Sequence, residues 1–454
     1  MIDFIAYIFG CNKIIFMPSK VIARENWSKI GFLMATIGSA VGLGNIWRFP
    51  YIVGSHGGGA FLIPYTISII IFGIPLMMLE LDAGRKFKGS VVTTLKQINR
   101  RFWLLGILAP IVSLSILSYY LVISGWTLGY FIFSVTGYME FSQFTNSLLP
   151  LLYFAITLAI TAFIVSKGIK KGIEKASMIL MPILFVVLIG LAAYALQMPG
   201  ASDGLAFYLT PDFSYLFDPN IWLMSISQAF FSLSVGYGIL ITYGSHLSKE
   251  TRIGRSVLGV AGADALIAFI GGLIIFPIVF SFGINPSAGT ELSFIALPTV
   301  FGSMPFGMLI GLLFFFLLFI AALTSSISML ELGAANFIDE LKWSRKKSVA
   351  FLSSIIFVVG IPSALSFYGG GISFMGKPFI DFMDIFFGTL LMLSAALLCI
   401  AVIWFYRPKV FDVKNKLLEK IKASSIMIFL LKYIIPIALF ILFVVELLSG
   451  GGGH

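Results

Sequence analysis

The sequence predicts an all-α polytopic membrane protein with eleven transmembrane helices. Its 454 residues are 59% hydrophobic and 11% charged, and the mean hydropathy is +1.02. Soluble domains are about 45–50% apolar and about 25% charged. This composition excludes an ordinary soluble enzyme, since a soluble protein could not bury so much apolar surface. Apolar runs of about 20 residues or more indicate helices, because barrel strands would be short and alternating.

Eleven apolar segments can be marked along the chain. They cover residues 28–53, 60–84, 103–137, 149–166, 175–197, 221–246, 256–283, 305–338, 348–367, 380–406 and 426–448. Residues 1–23 begin with MIDFIAYIFGCNKIIF, a run too short to span a bilayer and without the basic start of a signal peptide. We expect this tail to be an over-extended gene model or a disordered segment.

The basic residues mark the topology. Of the 30 Lys and Arg residues, 27 lie in the N-terminal stretch and in every second loop, whereas loops 138–148, 198–220 and 284–304 carry none. Under the positive-inside rule the N-terminus is cytoplasmic and, with eleven spans, the C-terminus is outside. The net charge of +10 therefore reflects topology and not a nucleic-acid partner. The turn-rich loop 198–220 suits an extracellular cap.

The first and sixth segments carry glycine and polar residues at their centres. These residues are Gly38, Gly42 and Gly44 in the first segment, and Ser232, Ser234, Gly236 and Gly238 in the sixth. Glycine weakens a helix, and unwound backbone at membrane depth lines a cavity or meets a ligand. The alternative is a small-residue packing face. Interruptions at corresponding positions in two sets of five segments point to the binding site of an inverted-repeat transporter.

Polar side chains inside the other segments indicate a site for a hard cation. Asp264 lies in the seventh segment, and Thr324, Ser325 and Ser326 are consecutive in the eighth. Helix hydroxyls often only bond the preceding turn. Beside two interrupted helices and a buried carboxylate, however, they fit the oxygen ligands that sodium prefers. The cysteines and histidines are scattered and form no metal motif.

These residues fall within motifs that resemble the neurotransmitter:sodium symporter family, in its prokaryotic amino-acid-transporting branch. The motifs are RENW at 24–27, GSAVGLGNIWRFPY at 38–51, GGGAFLIPY at 57–65, GIPLMMLELDAGR at 73–85, SYYLVISGWTLGY at 118–130, SLSVGYG at 232–238, ALTSSIS at 322–328, FIDEL at 337–341 and DFMD at 381–384. The resemblance implies the leucine-transporter fold, a 5+5 inverted repeat with helices 1 and 6 unwound in the middle.

The same resemblance divides the chain. It implies a transporter core at 24–406, with a first repeat at about 24–197 and a second at about 221–406. Residues 407–454 would form a cytoplasmic loop, helix 11 and a glycine-rich tail. Many relatives have twelve helices, but the ten-helix bundle that carries transport is present.

The resemblance also implies two Na⁺ ions. The first ion, Na1, would be held by Ala40, Asn45, Ser232, Asp264 and the substrate carboxylate. The second, Na2, would be held by carbonyls of Gly38, Val41 and Ala321 and by hydroxyls of Thr324 and Ser325. A substrate pocket implied by resemblance comprises Ala40, Leu43, Gly44, Ile116, Tyr120, Phe231, Ser232, Ser234, Tyr237, Ser325 and Met329.

Two ion pairs would gate this pocket. By resemblance, Phe231 and Tyr120 close the outer lid, and Arg48 and Asp384 form the outer gate. Arg24 and Asp339 form the inner gate, with Trp27 packed beside them. Gly172 and Pro182 match the spacing at which the family's fifth helix unwinds to admit water.

Two departures from the family pattern bear on ion use and substrate. Chloride-dependent members carry Asn and Ser at positions 264 and 268, where this chain has Asp264 and Ala268. The extra carboxylate offsets one cation charge, which predicts chloride independence. Bulky pocket residues, namely Ile116, Tyr237 and Met329, favour a small to medium apolar amino acid.

The sequence therefore predicts sodium-coupled uptake of an amino acid by alternating access, in the cell membrane. A receptor or channel on the same scaffold and a carrier of nucleobases or sugars remain alternatives. A membrane enzyme is disfavoured, since the chain has no nucleophile elbow or phosphate-binding GxxxxGK loop.

Overall fold

The computed structural model describes residues 24–286, 292–406 and 423–448. Most of these residues are helical, and a small antiparallel hairpin joins β1 (Ser373–Phe374) to β2 (Lys377–Pro378). The helices are α1 (Lys29–Ala40), α2 (Gly44–Ser55), α3 (Gly58–Phe87), α4 (Val91–Ile98), α5 (Arg100–Thr136), α6 (Phe141–Thr145), α7 (Leu149–Ser166), α8 (Ile169–Ala195), α9 (Ala201–Leu209), α10 (Pro219–Ser232), α11 (Ile239–Gly244), α12 (Ile253–Ser281), α13 (Leu297–Ser303), α14 (Gly307–Leu341), α15 (Arg345–Ala364), α16 (Phe379–Tyr406) and α17 (Ser425–Leu448). The predicted tail 1–23, the predicted loop 407–422 and the glycine-rich end lie outside the described residues.

The long helices correspond to the predicted segments. Within the described ranges, nine helices are long and apolar enough to cross a membrane, or ten if the bent pair α1 and α2 is one span. They match predicted segments to within a few residues, except that α8 begins at Ile169 and not at 175. A helical, multi-pass membrane protein is thereby confirmed, whereas the count of eleven spans stays a prediction.

The first and sixth predicted segments are each divided between two helices. Helices α1 and α2 meet at an angle of 50° across residues 41–43. Helix α10 ends at Ser232 and α11 begins at Ile239. Between them the backbone adopts positive φ angles at Ser234 (53°) and at two glycines of the SVGYG stretch. Positive φ angles are incompatible with a right-handed helix, so the helix is interrupted between Ser232 and Ile239.

Helix α14 lies at the centre of the bundle. It packs against α1, α5, α7, α8 and α15, and every residue from 320 to 336 is buried. By contrast, α8 and α17 expose large apolar side chains, including Val186 and Leu448. A helix with an apolar exposed surface is stable in lipid and would aggregate in water, so these helices form the periphery of the bundle.

The loop 198–220 contains more structure than its turn-rich composition predicts. Residues Ala201–Leu209 form α9, which packs against α12. Its buried residues, Ala201, Gly204 and Tyr208, follow the spacing of one helix face. The Tyr208 hydroxyl donates a hydrogen bond to the Phe269 carbonyl at 3.0 Å. The glycines and aspartates of this loop concealed that apolar face in the sequence.

Helices α3 and α11 cross at two glycines. A Cβ atom on Gly84 would overlap the Ile241 carbonyl oxygen, and a Cβ on Gly244 would overlap backbone atoms of Leu81. The two backbones can therefore approach only because both positions lack a side chain. Small residues at crossing points are a general means of packing helices in membranes.

Replacement of Gly84 by alanine should destabilise the protein. The added methyl group meets backbone atoms that cannot rotate away, and overpacking of this kind costs about 1–3 kcal/mol. We expect Gly84→Ala to lower the thermal midpoint of the purified protein in detergent by several degrees. Gly262→Ala, on α12 with open space around its Cβ position, is the matched control and should leave the midpoint unchanged or raise it. Equal midpoints for the two variants would contradict this packing.

Candidate functional site

The bend between α1 and α2 is closed by side chains from other helices. The Gly42 amide donates to Asn45 Oδ1 at 3.0 Å, and the Leu43 amide donates to the Tyr120 hydroxyl at 3.3 Å. A Cβ atom on Gly42 would lie 2.8 Å from Ser325 Oγ and 2.9 Å from the Tyr120 hydroxyl. The glycine is thus required by a close approach of polar side-chain atoms from α5 and α14.

The break between α10 and α11 is held by a carboxylate from α3. Glu80 is fully buried, and its Oε1 accepts the Gly236 amide at 2.7 Å. Ser113 donates to the Tyr237 carbonyl at 3.0 Å, and Ser234 Oγ donates across to the Ser39 carbonyl at 2.7 Å. These bonds replace the helical ones that the unwound backbone has lost. The Ser234–Ser39 bond also connects the two interrupted helices directly.

Four polar side chains form a buried cluster beside both breaks, which we call the carboxylate cluster: Asn45, Tyr65, Ser232 and Asp264. Ser232 Oγ lies 2.7 Å from Asp264 Oδ1 and 2.8 Å from Oδ2. Asn45 Nδ2 donates to Ser232 Oγ at 2.8 Å and to Asp264 Oδ1 at 2.7 Å. Tyr65 completes the cluster by donating to Asp264 Oδ2 at 3.3 Å. Three of the predicted Na1 residues, Asn45, Ser232 and Asp264, therefore lie in mutual contact.

The hydroxyls of α14 divide into two kinds. Thr324 donates to the carbonyls of Ile320 and Ala321 in its own helix, at 3.2 and 3.0 Å. Ser325 instead reaches α1, where its Oγ lies 3.2 Å from the Ser39 carbonyl and 3.3 Å from the Val41 carbonyl. The predicted Na2 residues are therefore adjacent. Gly38 also faces Thr324, since a Cβ there would lie 3.1 Å from the Thr324 Cβ.

Two of the predicted substrate residues, Phe231 and Tyr120, contact the same bend. The Phe231 ring lies against Gly44, where a Cβ would be 2.8 Å from the ring, and Tyr120 contacts Leu43 through the bond given above. The predicted wall residues Ile116, Tyr237 and Met329 are all buried. A helix N-terminus carries partial positive charge, and its free amides can bind an anion. The same rule applies to the amides at the start of α2.

Above the Phe231 ring lies a second group of polar residues, the upper cluster: Arg48, Tyr119, Gln228 and Asp384. Arg48 donates to Gln228 Oε1 at 2.7 Å, and its guanidinium lies 5.2 Å from the Phe231 ring centroid. The Tyr119 hydroxyl donates to Asp384 Oδ1 at 2.8 Å. Of the charges that act on Arg48, that of Asp384 is the strongest. The two predicted outer-gate residues are therefore electrostatic neighbours, each with an additional polar partner.

On the side of the basic loops lies the lower cluster: Arg24, Ser90, Ser245, His246 and Asp339. Arg24 and Asp339 form an ion pair whose two side chains are 8% and 9% exposed. Asp339 also accepts the Ser90 amide, at the start of α4, at 2.6 Å. Arg24 donates to the Lys88 carbonyl at 3.1 Å and to Ser245 Oγ at 2.6 Å. The arginine and the aspartate are thus each held by further bonds.

Of the remaining predicted residues, Trp27 lies next to the lower cluster, and Gly172 and Pro182 lie on α8. The Trp27 indole donates to the Tyr243 carbonyl at 3.1 Å, beside the His246 ring. Gly172 belongs to a π-helical turn at the start of α8, and a Cβ there would overlap the Ile164 carbonyl. Pro182 lies inside α8, where it removes a backbone donor. A cavity of about 330 Å³ opens here, lined in part by Arg24, His246, Asp339 and Arg345.

Several contact residues were not assigned a role from the sequence. They are Ser39, Tyr65, Glu80, Ser90, Ser113, Tyr119, Gln228, Ser245 and His246. A signal existed for Glu80 and Gln228, because each is a strongly polar residue inside an apolar segment, and such residues are rarely neutral in function. The partners of the hydroxyl residues depend on which helices become neighbours, and spacing along the chain does not reveal that.

Comparison with known proteins places these features in context. Residues 24–151 and 143–450 match the family model described as the sodium:neurotransmitter symporter family. An uncharacterized sodium-dependent transporter of Haemophilus influenzae is 33% identical, over 93% of this chain and 98% of the relative. A second, from Bacillus subtilis, is 36% identical, over 92% and 96%. The crystal structure of MhsT in complex with L-phenylalanine is similar with a TM-score of 0.84 and 39% identity, over 93% of this chain and 99% of MhsT.

The bond between Glu80 and the unwound backbone predicts a graded mutational effect. Glu80→Leu leaves the Gly236 amide without its acceptor, which costs about 1–3 kcal/mol for a buried donor. Glu80→Gln retains an oxygen at the same place and should lose much less. We expect the thermal midpoint in detergent to fall in the order wild type, Gln variant, Leu variant. A Gln variant as unstable as the Leu variant would contradict the assigned hydrogen bond.

Proposed function

Because the chain belongs to the sodium:neurotransmitter symporter family, we propose that it takes up an amino acid by sodium-coupled symport. The observation that carries the proposal is the carboxylate cluster beside two interrupted helices. Carboxylate, hydroxyl and phenol oxygens converge there, with the Asn45 amide group beside them. Hard monovalent cations prefer such neutral and singly charged oxygens. The relatives named as sodium-dependent transporters support sodium as the ion.

We assign two sodium ions. The first would be bound by Ala40, Asn45, Ser232 and Asp264, with the substrate carboxylate as a further ligand. The second would lie between α1 and α14, at carbonyls of Gly38, Val41 and Ala321 and hydroxyls of Thr324 and Ser325. The contact of Ser325 Oγ with the Val41 carbonyl supports this second position, since two of its oxygens already lie 3.3 Å apart.

The substrate would be a small to medium apolar amino acid. Its carboxylate would meet the amides of Leu43 and Gly44 and the Tyr120 hydroxyl, whereas its amino group would meet carbonyls near Ala40 and Phe231 and the Ser234 hydroxyl. The side chain would face Ile116, Tyr237 and Met329. The structure of MhsT with L-phenylalanine supports an amino acid as the ligand class, because that protein resembles this chain over nearly its whole length.

Alternating access would follow from the two clusters on opposite sides of the site. The Arg48 and Asp384 pair would close the outer path, and the Arg24 and Asp339 pair the inner one. One Na⁺ that crosses about 100 mV and a tenfold gradient yields about 3.7 kcal/mol. Two ions support a substrate gradient of roughly 10⁵-fold, and one ion only several hundred-fold. The stoichiometry therefore decides how far the substrate can be concentrated.

The proposal also covers the number of membrane spans, their orientation and the bounds of the two repeats. The chain would cross the membrane eleven times, with a cytoplasmic N-terminus, an outer C-terminus and a 5+5 inverted repeat at 24–197 and 221–406. The two broken helices occupy corresponding positions in these repeats, which supports the assignment. Residues 1–23 would lie outside the transporter core, and 407–454 would supply the loop to helix 11, that helix and the tail.

Uptake into proteoliposomes tests the function directly. We expect purified protein to accumulate radiolabelled L-phenylalanine or another apolar amino acid only when an inward sodium gradient is present. Uptake that persists after both sodium gradient and membrane potential are removed would indicate a channel on the same scaffold. Sodium-dependent binding without any uptake would instead indicate a receptor.

The second sodium site predicts a contrast between neighbouring serines. Ser325→Ala removes a proposed ligand and should raise the sodium concentration for half-maximal binding of substrate by about tenfold, equivalent to about 1.4 kcal/mol. Ser326→Ala is the matched control, since Ser326 Oγ only donates to the Ala322 carbonyl of its own helix. Binding titrations with sodium measure both. An effect of similar size in the two variants would contradict the assignment.

Chloride independence is tested by ion replacement. Asp264 already supplies the negative charge that would balance the second sodium ion, so replacing chloride by gluconate should leave uptake unchanged. Asp264→Asn with Ala268→Ser recreates the residues of chloride-dependent members, and residual uptake in this double variant should rise with chloride. Wild-type uptake that falls several-fold in gluconate would contradict the prediction.

A further inference from the structure

His246 is the second residue after the end of α11, and positively charged side chains surround it. Its side chain is buried in the loop that leads to α12, within the lower cluster. Arg24 approaches the ring at Nε2, and Lys88 and Arg345 contribute further positive charge. Lys167 lines the same cavity. The nearby carboxylates are already engaged, because Asp339 pairs with Arg24, Glu331 pairs with Arg345, and Glu25 Oε2 accepts the Lys170 amide at 3.5 Å.

The partners of the two ring nitrogens determine the protonation state. His246 Nε2 lies 3.1 Å from an Arg24 nitrogen, and His246 Nδ1 lies 2.7 Å from the Glu25 carbonyl oxygen. A guanidinium can only donate and a carbonyl can only accept. Nε2 must therefore carry a lone pair and Nδ1 must carry the hydrogen, which describes a neutral imidazole. A second proton on Nε2 would place two donors, and two positive charges, face to face.

We propose that neutral His246 positions Arg24 for its ion pair with Asp339, and that protonation of His246 opens this side of the protein. The proposal rests on the proposed role of Arg24 and Asp339 as the inner gate. His246 accepts one hydrogen bond from the guanidinium, Ser245 accepts another, and Asp339 takes the remaining charge. Ser245, His246 and Asp339 together fix the position of the Arg24 guanidinium. Loss of the imidazole acceptor would therefore turn Arg24 away from that position.

The direction of the pH effect follows from the burial of the ring. Burial, with the charge of Arg24 second, lowers the pKa of His246 to about 3. If the lower cluster opens and water reaches the ring, the pKa returns toward about 6.5. The open form then binds the proton more tightly, so the closed form is stabilised above about pH 6.5 and is lost as the pH falls. Between about pH 7.5 and about pH 5.5, the ratio of open to closed protein should rise about tenfold.

Cysteine labelling measures the opening without any need for transport. Ala335 on α14 is 3% exposed and lines the cavity beside the lower cluster. We would introduce Ala335→Cys together with Cys11→Ser, and follow its reaction with a charged methanethiosulfonate in sodium-free nanodiscs at about pH 7.5 and about pH 5.5. Cys399 is fully buried and its reaction is subtracted in protein without the Ala335→Cys change.

His246→Gln is the decisive variant, because glutamine can accept from Arg24 but does not titrate. The rate at the lower pH divided by the rate at the higher pH should be about tenfold larger with His246 than with glutamine. The ionisation of the introduced thiol cancels in this comparison, since both proteins carry the same cysteine. His246→Arg supplies a charge that persists at both pH values, so this variant should label fast at both. Equal ratios with His246 and glutamine, or slow labelling of the arginine variant, would overturn the proposal.

Two further variants separate a titrating role from a structural one. Ser245→Ala removes another acceptor of Arg24 without a titratable group, so it should speed labelling by the same factor at both pH values. His56→Gln changes the described histidine near the end of α2, whose Nδ1 lies 2.9 Å from the Ile52 carbonyl, and should leave the ratio unchanged. A ratio that falls with Ser245→Ala or His56→Gln as much as with His246→Gln would also overturn the proposal.

Failure of the proposal for His246 can be distinguished from failure of the proposed transport function. Sodium-dependent binding of L-phenylalanine is measured on the same preparations. Absence of that binding with an intact pH ratio would remove the proposed substrate and leave the role of His246 standing. Normal binding with no difference in the pH ratio would remove the role of His246 alone.

Discussion

The structure depends on one constraint, which is that backbone inside a membrane must find its hydrogen bonds within the protein. Two helices of this chain are interrupted at their centres, and each interruption releases amides and carbonyls that water cannot satisfy. The partners come from three other helices: Glu80 from α3, Ser113 and Tyr120 from α5, and Ser325 from α14. The site is therefore assembled by the same contacts that make the breaks tolerable.

This arrangement surrounds the Asp264 carboxylate with neutral hydrogen-bonding groups. Its donors come from Asn45, Tyr65 and Ser232, and among the described residues no lysine or arginine forms an ion pair with it. A carboxylate so placed favours a mobile cation over a fixed one, because an arginine or lysine there would occupy the binding volume permanently. The position of the acid and the proposed use of sodium thus have a common physical basis.

Much of the fold was accessible from the sequence, for definite reasons. Apolar runs gave most spans to within a few residues, and glycine clusters marked both broken helices because glycine at the centre of a span is costly. Helix α9 was missed, since its buried face consists of only three small or aromatic positions within a glycine- and aspartate-containing loop. The resemblance to a known family predicted that Asn45, Ser232 and Asp264 share one site. Sequence spacing alone could not, because Asn45 and Ser232 are 187 residues apart and Ser232 and Asp264 are 32 apart. Glu80, Gln228 and His246 depend on which helix ends meet in space, and a single sequence does not contain that information.

The glycine crossing of α3 and α11 has a mechanical consequence. Backbone lies against backbone there, without a side chain that could rotate to permit sliding, so any motion would carry α11 and the adjoining half of α3 together. Helix α1, in contrast, is fastened at its basic-loop end by side-chain bonds of Arg24 and Trp27 and by the Ser28 amide on Glu174. Such tethers can be released one at a time. In such a motion the hinge is expected at the 50° bend, with α1 rotating relative to the α3–α11 pair.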